Sequence, residues 1–215
     1  MQAYIVERAL MPQKVSDERV LSAYLSIERE TFLPFKFKSM KNVVEEPIFL
    51  EEDRFLAPLQ PYATLIQEAN IQEGEKVLVF PFSCGYISNL LDCLSKNIFT
   101  AEEKRYHTLF EDSTQATSCP EMTDKCLFIE TIDDLSHLDS DFDVIFIDGA
   151  VEELPHVFLE KLSAKGRLVY VDATKDNMFY GRVVYKNKPE TAKAWYSEKS
   201  TPKLNLFRRK NVFEF

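Results

Sequence analysis

From Gly74 onward, apolar residues alternate between short runs and longer periodic segments. The run between Gly74 and Pro81 is almost wholly apolar and predicts a fully buried strand. The segment after Tyr86 is periodic, and its apolar residues share one helical face: Ile87, Leu90, Leu91 and Leu94. Alternation of this kind predicts an α/β fold, with an open, mostly parallel, Rossmann-like seven-stranded sheet and helices on both faces.

The other elements of the sheet follow from the same two periodicities. Strands are predicted at Ile98–Ala101, Cys126–Glu130, Val144–Ile147 and Arg167–Val171. Helices are predicted at Pro58–Ala69, Glu103–Ala116 and Leu154–Leu162. After Val171 the pattern changes, and two further strands, Gly181–Lys186 and Lys203–Phe215, predict an antiparallel hairpin that completes the sheet.

The N-terminal quarter of the chain has a different pattern. It predicts a short helix at Ala3–Leu10 and a second helix with Ser16 as its N-cap, which ends before Pro34. An extended apolar connector is expected around three aromatic residues, Phe32, Phe35 and Phe37. Pro47 then opens a short strand. We therefore expect a helical extension over residues 1–57, packed on an α/β domain over residues 58–215 in one structural unit.

Charge is unevenly distributed along the chain. The net charge is −9, yet the segment from Lys175 to the end carries ten Lys or Arg against four Asp or Glu. The acidic remainder argues against a general nucleic-acid-binding protein. The basic segment either contacts an acidic partner or is attracted to the acidic body of the same chain.

The four cysteines do not predict a metal site, because they show no C-x-x-C spacing and no paired histidine. The first residues, Met1–Lys14, contain Glu7 and Arg8 and lack the apolar core of a signal peptide. No uncharged run is long enough to cross a bilayer. These features predict a soluble, cytoplasmic protein without membrane insertion.

The order of several motifs resembles one family. The segment Ile27-Glu-Arg-Glu-Thr-Phe-Leu-Pro34 is similar to its "V-P-R-E-x-F-V-P" motif, and Glu46-Pro47-Ile48 is similar to its "D-x-P-L" motif. Glu73–Leu78 is similar to "pGdrVL", and Cys84-Gly-Tyr86 to the end of "E-I-G-T-G-S-G-Y". Together these motifs resemble the protein-L-isoaspartate O-methyltransferase family of class I S-adenosylmethionine-dependent methyltransferases, in a divergent bacterial branch.

The resemblance implies a cofactor, S-adenosylmethionine, and methyl transfer to a carboxylate of a protein or peptide. It also implies a cofactor-binding set: Ser83, Cys84, Gly85, Tyr86, Glu102, Glu130 and Asp148. Glu102 is the expected partner of the ribose hydroxyls, and Glu130 is expected near the adenine. Glu102 could instead be a solvated carboxylate beside a helix start, and Asp148 could simply begin an Asp-Gly turn.

The cofactor loop departs from the family pattern. Pro81 and Ser83 replace two motif glycines, Phe82 replaces a small residue, and Val79 replaces an acidic residue. Leu56 stands where the family has a serine that is associated with substrate handling, and leucine cannot form a hydrogen bond through its side chain. No catalytic residue is identified. An alternative therefore stays open, a catalytically inactive protein that uses this fold to bind a protein partner or another small molecule.

Overall fold

Nine strands form two sheets in the computed structural model, which describes residues 6–109, 126–154, 156–175, 178–197 and 201–208. A two-stranded sheet contains β1 (Ile48–Glu51) and β2 (Arg54–Leu56). The main sheet contains seven strands: β3 (Val77–Phe80), β4 (Ile98–Glu103), β5 (Cys126–Ile129), β6 (Phe142–Val151), β7 (Leu162–Lys175), β8 (Met178–Tyr185) and β9 (Lys188–Ser197).

The main sheet has the strand order β5-β4-β3-β6-β7-β8-β9. The five strands from β5 to β7 run parallel, whereas β8 pairs antiparallel with both β7 and β9. Strand β3 is apolar and buried at every position, because it lies in the centre of the sheet. The chain moves outward from β3 to β4 on one side and returns to β6 on the other, so the topological switch point lies at the end of β3.

Four α-helices lie within the described residues: α1 (Glu18–Ser26), α2 (Leu59–Ala69), α3 (Tyr86–Asp92) and α4 (His156–Lys161). The two faces of the sheet bury two separate apolar clusters. One cluster contains residues of α1, α2 and α3, and the other contains residues of α4. The sheet therefore has a hydrophobic core on each face, as a three-layer α/β fold requires.

The N-terminal segment is joined to the sheet domain through a buried arginine. Arg29 donates hydrogen bonds to the carbonyls of Val43 (2.7 Å), Ala57 (2.9 Å from Nη2) and Leu56 (3.4 Å). A buried carbonyl without a donor is costly, so the guanidinium stabilises the backbone at three points, two of which, Leu56 and Ala57, are buried. Arg29 thereby fixes the chain that leads into α2.

A C-terminal segment, Thr201–Phe207, lies across the carboxyl ends of the sheet strands. Lys203 forms a parallel bridge with Ala150, and the Phe207 ring packs 5.7 Å from Phe80 and 5.8 Å from Phe158. At Gly149, φ is +153° and an added Cβ would lie 2.5 Å from the Leu204 side chain. Only glycine allows this close approach without strain.

The predicted fold class is confirmed, including the parallel sheet and the antiparallel C-terminal hairpin. The predicted strand at Lys203–Phe215 is wrong over residues 203–208: the hairpin partner of β8 is β9, whereas Lys203 forms a single bridge and Asn205–Phe207 forms a short 3-10 turn. Residues 209–215 lie outside the described residues. Of the helix predicted at Glu103–Ala116, Glu103 ends β4, Lys104–Tyr106 forms a 3-10 turn, and residues 110–116 lie outside the described residues. The division at residue 57 stays a prediction.

The N-terminal predictions need two corrections. The N-cap of α1 is Asp17 rather than Ser16, because the Asp17 carboxylate accepts the Arg19 N–H whereas the Ser16 N–H donates to Gln67. The region of Phe32, Phe35 and Phe37 is not extended, since 3-10 turns form at Arg29–Phe32 and Phe35–Met40. Phe32 is buried, whereas the Phe35 side chain is 94% exposed.

Among the described residues, the helices are all too short or too polar to cross a bilayer.

Replacing Arg29 is expected to destabilise the protein. Arg29→Ala removes the side-chain donor from the buried carbonyls of Leu56 and Ala57 and should lower the free energy of unfolding by about 3 kcal/mol. Lys41→Ala is a matched control, because it removes the same charge from an exposed ion pair with Glu30 and should cost less than about 1 kcal/mol. Urea unfolding of both variants measures the difference, and equal effects would contradict the role given to Arg29.

Candidate functional site

The carboxyl ends of β3, β4 and β6 meet at the switch point of the sheet. This edge brings together the loop Pro81–Gly85, the end of β4 at Glu102, and Asp148 in β6. Open α/β sheets bind ligands at this position. Six of the seven sequence-predicted cofactor residues therefore lie at one edge, namely Ser83, Cys84, Gly85, Tyr86, Glu102 and Asp148.

The loop after β3 keeps a glycine-like path although only one glycine is left in it. The Phe80–Pro81 peptide is cis, Ser83 has φ +56° and Gly85 has φ +81°. Positive φ is the conformation that favours glycine, so Ser83 occupies a backbone position typical of the glycine it replaces. The Phe82 ring lies directly over Gly85, where an added Cβ would be 2.5 Å from the ring. The Phe82 side chain thus fills the space beside Gly85 that a small residue at position 82 would leave open.

Glu102 is fully buried and bound by an arginine of the small sheet. Arg54 Nη2 and Nε lie 2.7 Å and 3.0 Å from Glu102 Oε1, and Nε lies 3.2 Å from Oε2. The backbone N–H of Ser83 donates to Oε2 (2.8 Å), and that of Glu103 donates to Oε1 (2.7 Å). The relative exposure is 1% for Arg54 and 0% for Glu102. Both carboxylate oxygens therefore have protein donors.

Two more acidic groups and an aromatic ring surround the Arg54 guanidinium. Arg54 donates to Glu103 (2.8 Å) and Asp53 (3.0 Å), and its guanidinium carbon lies 4.1 Å from the centroid of the Tyr106 ring. Burial disfavours the charge on Arg54, but the carboxylates of Glu102, Asp53 and Glu103 outweigh it and raise the Arg54 pKa above its usual value. Arg54 therefore stays charged at every physiological pH.

This network also joins the small sheet to the C-terminal segment. Asp53 accepts hydrogen bonds from the Tyr106 hydroxyl and from the backbone N–H of Asn205. Arg105 donates to Glu103 (3.0 Å) and to Glu52 (3.0 Å). The small sheet and the C-terminal segment thus both cover the carboxyl edge of the main sheet, and they contact each other through Asp53 and Asn205.

The residues around Glu102 do not fit a ribose in this arrangement. A ribose diol needs a carboxylate whose oxygens can accept its hydroxyls, and Glu102 is enclosed by Arg54 and by two backbone N–H groups. Pro81 has no N–H to offer a ligand, and Phe82 occupies the space beside Gly85.

Asp148 lies deeper in the edge and has unused hydrogen-bonding capacity. Its Oδ1 and the hydroxyls of Tyr62 and Tyr24 are buried without a hydrogen-bond partner among the described residues. Burial raises the pKa of Asp148 to about 7, although the nearby Tyr62 hydroxyl and the Arg54 charge act in the opposite direction. Asp148 is therefore a buried carboxyl group that changes charge near neutral pH.

The other candidates contribute less to this edge. Glu130 follows β5, is exposed, and pairs with Lys104 at 2.8 Å, so the structure does not bring it to the Glu102 cluster. Cys84 is buried, and burial raises the pKa of its thiol to about 12, which excludes a thiolate nucleophile at neutral pH. Leu56 is buried in β2, and its carbonyl accepts from Arg29. The cofactor-binding roles of all seven residues that the sequence singles out stay predictions.

Arg54, Asp53 and Tyr106 are not among the site residues that the sequence predicts. The available signal was the position of Arg54, a single cation between three acidic residues and the apolar Phe55-Leu56. A charged residue inside a short apolar strand is rarely buried without a partner. The partner, Glu102, is 48 residues away in sequence, so the pairing was not visible locally.

Asp148 should make stability depend on pH. The folded-state pKa lies above the ordinary value of 3.8, so between about pH 4 and 7 the folded chain holds a proton that the unfolded chain has lost. The stabilising contribution of this group is therefore lost as pH rises through that window, by up to about 1.4 kcal/mol per pH unit.

Asp148→Asn should flatten this dependence and stabilise the protein at pH 7.5 relative to wild type. Urea unfolding at pH 5.0 and 7.5 measures the effect, and the matched control Asp139→Asn changes a carboxylate that is 78% exposed. A wild-type pH dependence that survives in Asp148→Asn would contradict the assignment.

Comparison with known proteins identifies relatives in sequence and in fold. A protein-L-isoaspartate O-methyltransferase of Petrotoga mobilis is 26% identical over 172 residues, which cover 77% of this chain and 76% of the relative. One of Koribacter versatilis is 27% identical over 178 residues, covering 78% and 74%. In fold, the chain is similar to a Plasmodium falciparum protein-L-isoaspartate O-methyltransferase solved with S-adenosyl-L-homocysteine (TM-score 0.74, 13% identity, covering 95% of this chain and 98% of that one).

The family model described as "Protein-L-isoaspartate(D-aspartate) O-methyltransferase (PCMT)" matches residues 4–196. The match includes the N-terminal segment, the small sheet, the edge loop and all seven strands of the main sheet except the end of β9. The cofactor that this family implies is S-adenosylmethionine, and its members act on proteins. The chain therefore belongs to the protein-L-isoaspartate O-methyltransferase family.

Proposed function

We propose that this chain is a protein-L-isoaspartate O-methyltransferase-like protein that transfers a methyl group from S-adenosylmethionine to a carboxylate of a protein or peptide. The observation that carries this proposal is the family match over residues 4–196. It is supported by the location of Ser83, Glu102 and Asp148 at the switch point, where sheets of this topology bind ligands. A cytoplasmic location is part of the same proposal.

Methyl transfer of this kind places few demands on side-chain chemistry. It depends mainly on holding donor and acceptor in line and on a suitable electrostatic field. A dedicated acid or base is not required, and we assign no catalytic residue. The closed edge is the larger obstacle, because Ser83 and Glu102 are both buried. Ligand binding therefore requires the small sheet to move away from the loop.

A second candidate is a non-catalytic protein that uses the same fold for binding. The specific observation in its favour is that Glu102 is already bound by Arg54. Phe82 beside Gly85 favours it as well. Its occupant would be a protein partner or a small molecule other than a nucleoside.

Ligand titration and a methylation assay separate the two candidates. In the first, S-adenosylmethionine and S-adenosylhomocysteine are titrated into the wild-type chain by calorimetry. We expect dissociation constants near 100 µM, about −5.5 kcal/mol, since the closed edge must open before a ligand binds. In the second, methyl incorporation should occur in an isoaspartyl peptide and not in the aspartyl peptide of the same sequence.

Two outcomes would reject methyl transfer. One is the absence of both heat and thermal shift at millimolar ligand, which leaves the binding function as the better account. The other is cofactor binding without methyl incorporation in either peptide.

A further inference from the structure

The side chain of Arg54 occupies the centre of the edge at which a ligand of this fold would bind. It is among the largest fully buried side chains of the protein. A buried guanidinium is costly to desolvate and is stable only when its donors are paired. Arg54 meets this requirement through Glu102, Glu103 and Asp53. The site therefore contains its own cation, and each of its three nitrogen atoms donates to a carboxylate.

The Arg54 guanidinium binds Glu102, the carboxylate that a ligand of this fold would use. In sheets of this topology, a carboxylate about 20 residues after the glycine loop accepts the ribose hydroxyls of a nucleotide. Glu102 lies 17 residues after Gly85, at the end of the neighbouring strand β4. Arg54 reaches both oxygens of this carboxylate, so the hydroxyls of a nucleoside would have to compete with a charged donor.

Ser83 holds the small sheet in this position. Its hydroxyl donates to the Phe55 carbonyl (2.9 Å) and accepts from the Phe55 N–H (3.3 Å). The residue that replaces a loop glycine thus binds the strand residue next to Arg54. A glycine at position 83 could not form these hydrogen bonds, so the change in the loop and the arginine in β2 act together.

We propose that Arg54 is an internal substitute for a nucleoside at Glu102 and sets the affinity of this site for ribose-containing ligands. The inference rests on the proposed function, since it concerns the cofactor site of the same fold. Removing the guanidinium takes its hydrogen bonds away from both Glu102 oxygens, each of which keeps one backbone N–H donor, and a ribose diol then supplies the missing donors. The site of the wild-type chain is therefore selective against nucleosides, and one residue determines that selectivity.

The test compares S-adenosylhomocysteine binding by wild type, Arg54→Lys and Arg54→Met. Met removes the donors at similar volume, whereas Lys keeps the charge but loses the planar two-donor geometry. We expect affinity to rise in the order wild type, Lys, Met, with a gain of about tenfold or more for Met, as expected for hydrogen bonds to a charged carboxylate. Calorimetry and ligand-induced thermal shift measure the series.

Two matched controls identify Glu102 as the group involved. The gain should be lost in Arg54→Met combined with Glu102→Gln, which keeps the shape and removes the charge. Adenosine should gain affinity in Arg54→Met, and 2′-deoxyadenosine, which lacks one hydroxyl, should gain less. If Arg54→Met does not fold, the comparison of wild type with Arg54→Lys decides the question by itself.

The result can contradict this inference independently of the proposed function. Equal affinities of the wild type and the folded Arg54 variants would overturn it, whether or not peptides are methylated. An absence of binding in every folded variant would overturn it as well, because the pocket would then be lost beyond Arg54. A gain in binding without any methyl transfer would support the inference and reject the proposed function.

Discussion

The buried ion pair of Arg54 and Glu102 is the interaction on which the arrangement of the carboxyl edge depends. Two charges removed from water are tolerated only when their geometry is good and their other donors and acceptors are satisfied. Here that requirement extends to Asp53, Glu103 and the N–H of Ser83. The pair therefore fixes the small sheet, the loop after β3 and the end of β4 relative to one another.

At this edge the backbone follows the pattern of the family, whereas several side chains differ from that pattern. Ser83 keeps the positive φ of a glycine position, and Gly85 keeps its own. The loop path and the strand order are those of a ligand-binding α/β protein, whereas Phe82, Ser83 and Arg54 fill the space with contacts internal to the chain. Family membership and a buried Glu102 are therefore compatible, since the fold depends on the sheet whereas the burial of Glu102 depends on its contacts with the loop and the small sheet.

The sheet was predictable because buried parallel strands are marked by continuous apolar runs, of which Val77–Phe80 is the clearest. The same signal was misleading after Lys203, where Leu204 and Phe207 are apolar because they cover the strand edge. Glu102 and Asp148 could be placed at the carboxyl edge of the sheet because strand ends can be located from sequence, and their ligand-binding roles stay predictions. Arg54 could not be assigned to this site from sequence. Its contact is with Glu102, which is distant along the chain, and no periodic pattern of residues indicates such a contact.

The C-terminal cover has a consequence for the order in which the molecule is completed. Synthesis proceeds from the N-terminus, so Thr201–Phe207 is made after every strand of the main sheet. Until it arrives, Phe80 and Phe158 lack the Phe207 ring, and Asp53 lacks the N–H of Asn205. The carboxyl edge is therefore the last part of the core to be covered, after all seven strands have been synthesised.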